Sequence, residues 1–243
     1  MTEQVASGFI FSQANLSLFE TCPRRFFLRY VRKMQWPSDL SAAEEEHENA
    51  LARGQHFHYL VQQDALGLAV ESEVEGSGDE VLRQWWSNFT TFGPREEPSA
   101  LFTELELCVP LDEFKIVAKF DRLVATANGD FVIFDWKTGG REPTARRYQA
   151  SWQTAIYPYV LVEGGEVING GASIPPDRAG MVYWHAGYPQ TVHRFAHGAE
   201  MQEQTRVRLT RMIAEISSRS GEGDFELTFE IARCGSCEFR TYC

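Results

Sequence analysis

The chain has 243 residues, 43% of them apolar, and a net charge of −11. That length fits one large domain with its own core. No apolar run reaches the roughly eighteen residues of a membrane span, and the acidic balance argues against a broadly basic coat for nucleic acid.

In chain order, Ser12 reads as the N-cap of a short helix (QANLSLFETC), and Pro23 sits in the first turn of a second helix over residues 24–33. Trp36-Pro37-Ser38 breaks that helix, and a third is expected from about 42 to 66, carrying Gly54 and His58. Gly76-Ser77-Gly78 reads as a loop, and residues 79–89 as a helix that packs Trp85, Trp86 and Phe89 inward. Strands follow at 101–109, 114–125 and 131–136, the last two joined at Asn128-Gly129, a strong hairpin signal. Residues 144–162 read as a helix that Pro158 should kink or shorten. Two short strands (181–185 and 191–195), a long helix (198–218) and a cysteine-rich tail complete the chain. The order predicts an α/β fold: one domain over 1–243, with a mainly helical part to 95, a mixed-sheet core at 100–197, and a helix with the cysteine tail from 198.

The chemistry concentrates on the second and third strands. Asp135 and Lys137, two apart on a strand, point to one face, and a hairpin partner can bring Asp121 alongside. Two carboxylates and an ammonium on one sheet face are costly unless they hold a hard cation such as Mg²⁺ or Mn²⁺. A D-x-K on a solvated strand face is the common alternative. Glu104 is a further possible carboxylate, and Gln153 and Tyr157 share a helical face at i, i+4. Arginines cluster at Arg24, Arg25, Arg29, Arg32 with Lys33, at Arg141, Arg146, Arg147, and at Arg206, Arg208, Arg211. The first two groups could track a DNA backbone; each alone also fits a solvated helix face.

The first seventeen residues lack the basic and apolar regions of a secretory signal, so a cytoplasmic location is expected, and five cysteines there suggest metal or cluster ligation more than disulfides. Cys234, Cys237 and Cys243 form C-x₂-C-x₅-C, and Cys22 is the natural fourth ligand. Zinc and an iron–sulfur cluster both remain open, spacing leaning toward the cluster because only one C-x₂-C knuckle is present. Either would clasp the tail to the N-terminal helices. Cys108, inside a strand, reads as a small core residue.

Taken together, SQANLSLFETCPRRFFLRYV, Gly54-x₃-His58, the FDR at Asp121, Asp135-x-Lys137, Gln153-x₃-Tyr157 and the cysteine set resemble the PD-(D/E)XK nuclease superfamily. The branch they resemble is the RecB-like one with an iron–sulfur cluster, which includes CRISPR-associated RecB-like exonucleases and the nuclease domain of AddB. The resemblance implies a restriction-endonuclease-like sheet and a deoxyribonuclease acting on single-stranded ends, in repair or CRISPR-related processing. It implies Mn²⁺ or Mg²⁺ on His58, Asp121, Asp135 and the Trp136 carbonyl, with Lys137 as catalytic lysine. Gln153 and Tyr157 would steady the site. Cys22, Cys234, Cys237 and Cys243 would hold a 4Fe–4S cluster, structural Zn²⁺ being the alternative. A helicase or CRISPR adaptation proteins are the implied partners. Phe120 stands where the superfamily's name has proline, and Ala118 where the branch often has glycine. The competing reading is a DNA- or protein-binding module that keeps the cysteine clasp and cleaves nothing.

Overall fold

The structure, a computed structural model, describes residues 3–35, 42–140 and 144–243; the expected break at Trp36-Pro37-Ser38, and Arg141, lie outside them. A short strand β1 (Ile10–Ser12), not anticipated from the sequence, leads into α1 (Gln13–Thr21). Ser12 closes a capping box with Asn15, as its residue type suggests. The expected second helix divides into α2 (Pro23–Phe26) and a π-helical turn, Phe27–Val31. Then come α3 (Ala42–Ala65), a short α4 (Glu71–Gly76) that the sequence pattern does not announce, and α5 (Glu80–Phe92), capped by Asp79.

The sheet is built from β2 (Pro98–Leu111), β3 (Phe114–Thr126), β4 (Phe131–Lys137), β5 (Ala179–His185) and β6 (Val192–Ala196) together with β1. The β3–β4 hairpin turns through Gly129 at φ +81°, a conformation that suits the predicted Asn-Gly. Between β4 and β5 run α6 (Ala145–Gln149) and α7 (Trp152–Gly164); α8 (Ala199–Ser217) follows β6. The single helix expected over 144–162 is thus two. Pro158 lies inside α7, which continues past it to Gly164. The break falls earlier, where the Ser151 hydroxyl accepts from Thr154 N–H and starts a new helix.

β2 pairs antiparallel with β3 from end to end. A strand has only one other edge, and β1 and β4 share it: β1 lies parallel to residues 115–117 and β4 antiparallel to residues 122–125. β5 is parallel to β4 and β6 antiparallel to β5, so the sheet is mixed. Two apolar layers cover it. One face packs Ile116, Phe120, Leu123 and Ile133 against α1, α7 and α8. The other packs Phe134, Trp136 and Trp184 against Phe57 of α3 and Trp86 and Phe89 of α5. Trp86 and Phe89 are buried as expected; Trp85 is only half-buried. Cys108 is exposed and does not contribute to the core as expected. Among the described residues no helix is long and apolar enough to cross a membrane.

Two irregularities position the candidate site. The β3–β4 ladder stops at Arg122↔Phe134, while β4–β5 pairing continues through Lys137↔His185. β3 and β4 therefore fork. In addition, β2 and β3 both change phase: Leu105, Leu107 and Val109 share a face with Phe102, and Ile116, Ala118 and Phe120 with Leu123. The slip falls at Glu104, which has φ +53°, and Asp121 across from it. A left-handed conformation at a residue with a Cβ is uncommon and strained.

Candidate active site

Asp121 sits in the fork. The Trp136 backbone N–H, released from the β3 ladder, donates to Asp121 Oδ2 at 2.8 Å. The same oxygen lies 3.3 Å from His58 Nδ1. His58 arrives on α3 because α3 can come close to the end of β4. A Cβ at Gly54, one turn before His58, would lie 2.8 Å from Thr138 Oγ1. This gives Gly54-x₃-His58 its physical meaning: the glycine permits the approach that the histidine uses.

Asp135 is 3% exposed. Its Oδ1 accepts a short hydrogen bond from Gln153 Nε2. Its Oδ2 lies 2.6 Å from Lys137 Nζ but outside hydrogen-bond alignment, so charge rather than a directed bond holds that contact. Lys137 Nζ donates instead to Gln153 Oε1 at 2.9 Å. Gln153 on α7 thus grips both ends of the D-x-K pair, and Tyr157, one turn on, packs edge-on against Phe120. The predicted i, i+4 face of Gln153 and Tyr157 faces this site, and Lys137 also sits 5.5 Å from the Tyr183 ring centroid.

The electrostatics follow from burial and crowding. Burial pushes the Asp135 carboxyl up to about 6; Lys137 opposes that rise, and Asp121 adds to it. Burial pulls His58 down, but its hydrogen bond to Asp121 and the charges of Asp121 and Asp135 more than offset this, and its pKa ends raised. Burial, with Asp135 nearby, raises the Tyr157 hydroxyl far above the physiological range, so it remains a protonated donor.

The imidazole lies beside Asp121 and Lys137 beside Asp135, all in one fork, but among the described residues Asp135 is not in the group whose ligand atoms lie close enough to share a metal ion. Ligand atoms of His58, Glu104 and Asp121 lie within 4.8 Å of one another. Imidazole nitrogen with carboxylate oxygens is a donor set that Mn²⁺ takes readily and Mg²⁺ takes through the oxygens. Glu104 is only a further candidate in the sequence. The phase slip between Phe102 and Leu105 in an otherwise alternating strand is the signal that could have singled it out.

The cysteines give a different result. The Cys22 sulfur caps α2, accepting from Arg25 N–H at 3.4 Å. Cys243 feels the charge of Cys237, Cys22 and Cys234, so all four share one neighbourhood. Among the described residues, however, no three of these sulfurs lie within 4.8 Å of one another, and the closed four-cysteine ligand set is not formed. A single zinc ion would need them about 3.8 Å apart, given Zn–S bonds of about 2.3 Å. Burial raises the Cys237 and Cys243 thiols, which favours neutral SH groups with little mutual attraction.

The clasp between chain ends exists but is made otherwise. Phe225 stacks on Phe27 with ring centroids 4.8 Å apart, and Phe239 is buried. Arg24 pairs with Glu222, Arg25 and Arg29 with Glu238, and Arg32 with Glu3 and Glu222. Arg24, Arg25, Arg29 and Arg32 of the first arginine cluster thus pair with acidic groups, all of them but Glu3 in the C-terminal region. In the third cluster Arg206 pairs with Glu203 and Arg208 with Glu20. Arg146 and Arg147 are exposed on α6.

Comparisons with known proteins bear on the family and the fold. No curated protein matches the chain. Among solved structures, a protein of Eubacterium rectale described as "Putative exonuclease" is similar at a TM-score of 0.52 and 11% identity, over 96% of this chain and 86% of that one. The protein SSO0001 aligns over 99% of this chain and 88% of its own at 14% identity, with a TM-score of 0.42, too distant to bear on the fold. The profile of the PD-(D/E)XK nuclease superfamily matches residues 10–243. With a mixed α/β sheet flanked by helices, and with D-x-K, its partner aspartate and the helical histidine gathered in one fork, the chain belongs to the PD-(D/E)XK nuclease superfamily.

Proposed function

We propose that the chain is a metal-dependent deoxyribonuclease, one nuclease domain over 1–243, that hydrolyses phosphodiester bonds as an exonuclease on single-stranded ends. The observation that carries this reading is the convergence of His58, Asp121, Asp135 and Lys137 where β3 and β4 part. His58, Asp121, Asp135 and the Trp136 carbonyl would hold Mn²⁺ or Mg²⁺. A bound cation supplies charge neutralisation at the phosphate and acidifies water. The chain's own groups do the rest. Lys137, held between Asp135 and Gln153, presents a positive charge where the phosphate gains negative charge. Gln153 fixes the lysine and the aspartate relative to each other. Tyr157 offers a protonated hydroxyl to the same region.

Superfamily membership and the "Putative exonuclease" neighbour support the reaction class. The single-strand preference, a cytoplasmic location, and partnership with a helicase or CRISPR adaptation proteins belong to the proposal alone. Binding of a 4Fe–4S cluster or zinc by Cys22, Cys234, Cys237 and Cys243 would require the tail to shift so that the sulfurs meet; a colourless anaerobic preparation would count against the cluster.

The test is digestion of end-labelled single- and double-stranded DNA with Mn²⁺, Mg²⁺ or EDTA, comparing wild type with Lys137→Ala. The expected result is metal-dependent cutting of single strands that the variant lacks. Equal cutting by both proteins, or no cutting by either, sinks the assignment.

A further inference from the structure

We propose that Trp85 forms one wall of a nucleobase slot beside the fork, and that this slot takes an unpaired base of the strand being cut. The inference rests on the nuclease reading above and names where its substrate lies. A groove of about 670 Å³ runs between α3, α5 and the end of β4, within the roughly 300–1,000 Å³ of small-ligand sites. His58 and Lys137 line it together with Leu51, Val81 and Trp85. Leu51, Gly54 and His58 follow at i, i+3 and i+7 on one face of α3, and Val81 and Trp85 at i, i+4 on one face of α5. The apolar wall of the groove therefore continues the face of α3 that delivers the imidazole to Asp121.

Leu51 is 54% exposed and Val81 42%, and Trp85 is half-buried. A single exposed apolar side chain is ordinary, but three around one groove mark a binding surface. Trp85 is also held in place: its ring packs edge-on against buried Phe57, with centroids 6.0 Å and planes 80° apart. The charged side chains of the groove are Arg53, His58 and Lys137, and no carboxylate lines it among the described residues, on a chain of net charge −11. Arg53 is fixed by Asp79 at 2.5 Å. Such a surface suits a polyanion that carries flat apolar groups. The nucleotide next to a phosphate held at Lys137 brings its base to this groove. Stacking on an aromatic ring is favourable for any base, so the slot reads no sequence. It does read pairing, because a base in a duplex must first leave its partner and its stack before it can enter.

The test measures binding apart from cutting, as fluorescence anisotropy of a short labelled oligothymidine titrated with the full chain in EDTA. Trp85→Ala should weaken binding about tenfold, and Trp85→Phe, which keeps a stacking ring, by less than about threefold. The same strand built from abasic residues should bind wild type at least about tenfold more weakly. Trp85→Ala should cost that strand nothing further, because the base it would have stacked is already absent. Duplex binding should change by less than about twofold. Melting curves establish that each variant is folded. If Trp85→Ala folds poorly, Val81→Glu decides, since the position is exposed and an acid suits the first turn of a helix; it should weaken oligothymidine binding about tenfold. Digestion of the same strand with Mn²⁺ by wild type and Lys137→Ala separates the two levels of the inference. Cutting that Lys137→Ala lacks, with oligothymidine binding that neither Trp85→Ala nor Val81→Glu changes, removes the slot and leaves the nuclease reading. No cutting by wild type, with a base-dependent loss in Trp85→Ala, removes the nuclease reading and leaves the slot as a single-strand site. A loss in Trp85→Ala that is equally large for the abasic strand also overturns the slot.

Discussion

Asp135 is held at a cost, and replacing it by asparagine should reveal that cost. In the unfolded chain the carboxyl loses its proton near 3.8, whereas burial in the folded metal-free protein holds it to about 6. Between those values the folded state binds more protons than the unfolded one. Stability is therefore fully present below about 3.8 and falls as pH rises through about 6. The interval from 3.8 to about 6, at about 1.4 kcal/mol per pH unit, corresponds to about 3 kcal/mol. Asp135→Asn has the shape of the neutral form and keeps an oxygen for Gln153. Lys137 loses its counter-charge but is 31% exposed and can turn to water. The variant should thus be more stable than wild type by up to about 3 kcal/mol at pH 7.5 without metal, and equal at pH 4. For a chain of this size that is about 6–12 °C in Tm. Urea unfolding in EDTA across that pH range measures it, and a DNA-cleavage assay should show the variant inactive. A stability difference that does not change with pH, or a variant less stable at pH 7.5, refutes the reasoning.

Mn²⁺ affinity should rise with pH, because the ion must displace the protons that Asp135 keeps to about 6 and that the raised His58 keeps above its usual 6.5; calorimetry from pH 5.5 to 8 giving a flat profile would contradict this. Gly54→Ala places a Cβ 2.8 Å from Thr138 Oγ1 and should destabilise by about 1–3 kcal/mol, with Thr138→Ala recovering most of the loss in the double variant. If the two changes simply add in urea unfolding, the close approach is not what the glycine serves. Phe225→Ala removes a fully buried ring stacked on Phe27 and should cost about 3–5 kcal/mol and free the tail to proteolysis; a tail that stays protected would show that the arginine pairs hold it alone.

What acts over a few residues was legible in the sequence. Ser12 caps a helix because its oxygen reaches the next turn. Asn128-Gly129 makes the hairpin that sets Asp121 beside Asp135. Two-residue spacing puts Asp135 and Lys137 on one face, and four-residue spacing does the same for Gln153 and Tyr157. What depends on partners far along the chain was not legible there. Where β4 parts from β3 is set by the competing ladder with β5, more than forty residues on, and that fork is what turns Trp136 N–H toward Asp121. The acidic partners of the N-terminal arginines, Glu222 and Glu238, lie far along the chain, so that pairing is not visible in the sequence. The cysteine spacing describes only how sulfurs could meet; packing of Phe225 and Phe239 sets where the tail lies, and it leaves the sulfurs apart. Local motifs specify the chemical groups, because bond geometry and hydrogen bonds within a turn or strand act at short range. Which groups are buried, paired or left facing a common point follows from contacts that exist only once the sheet has closed on both its layers.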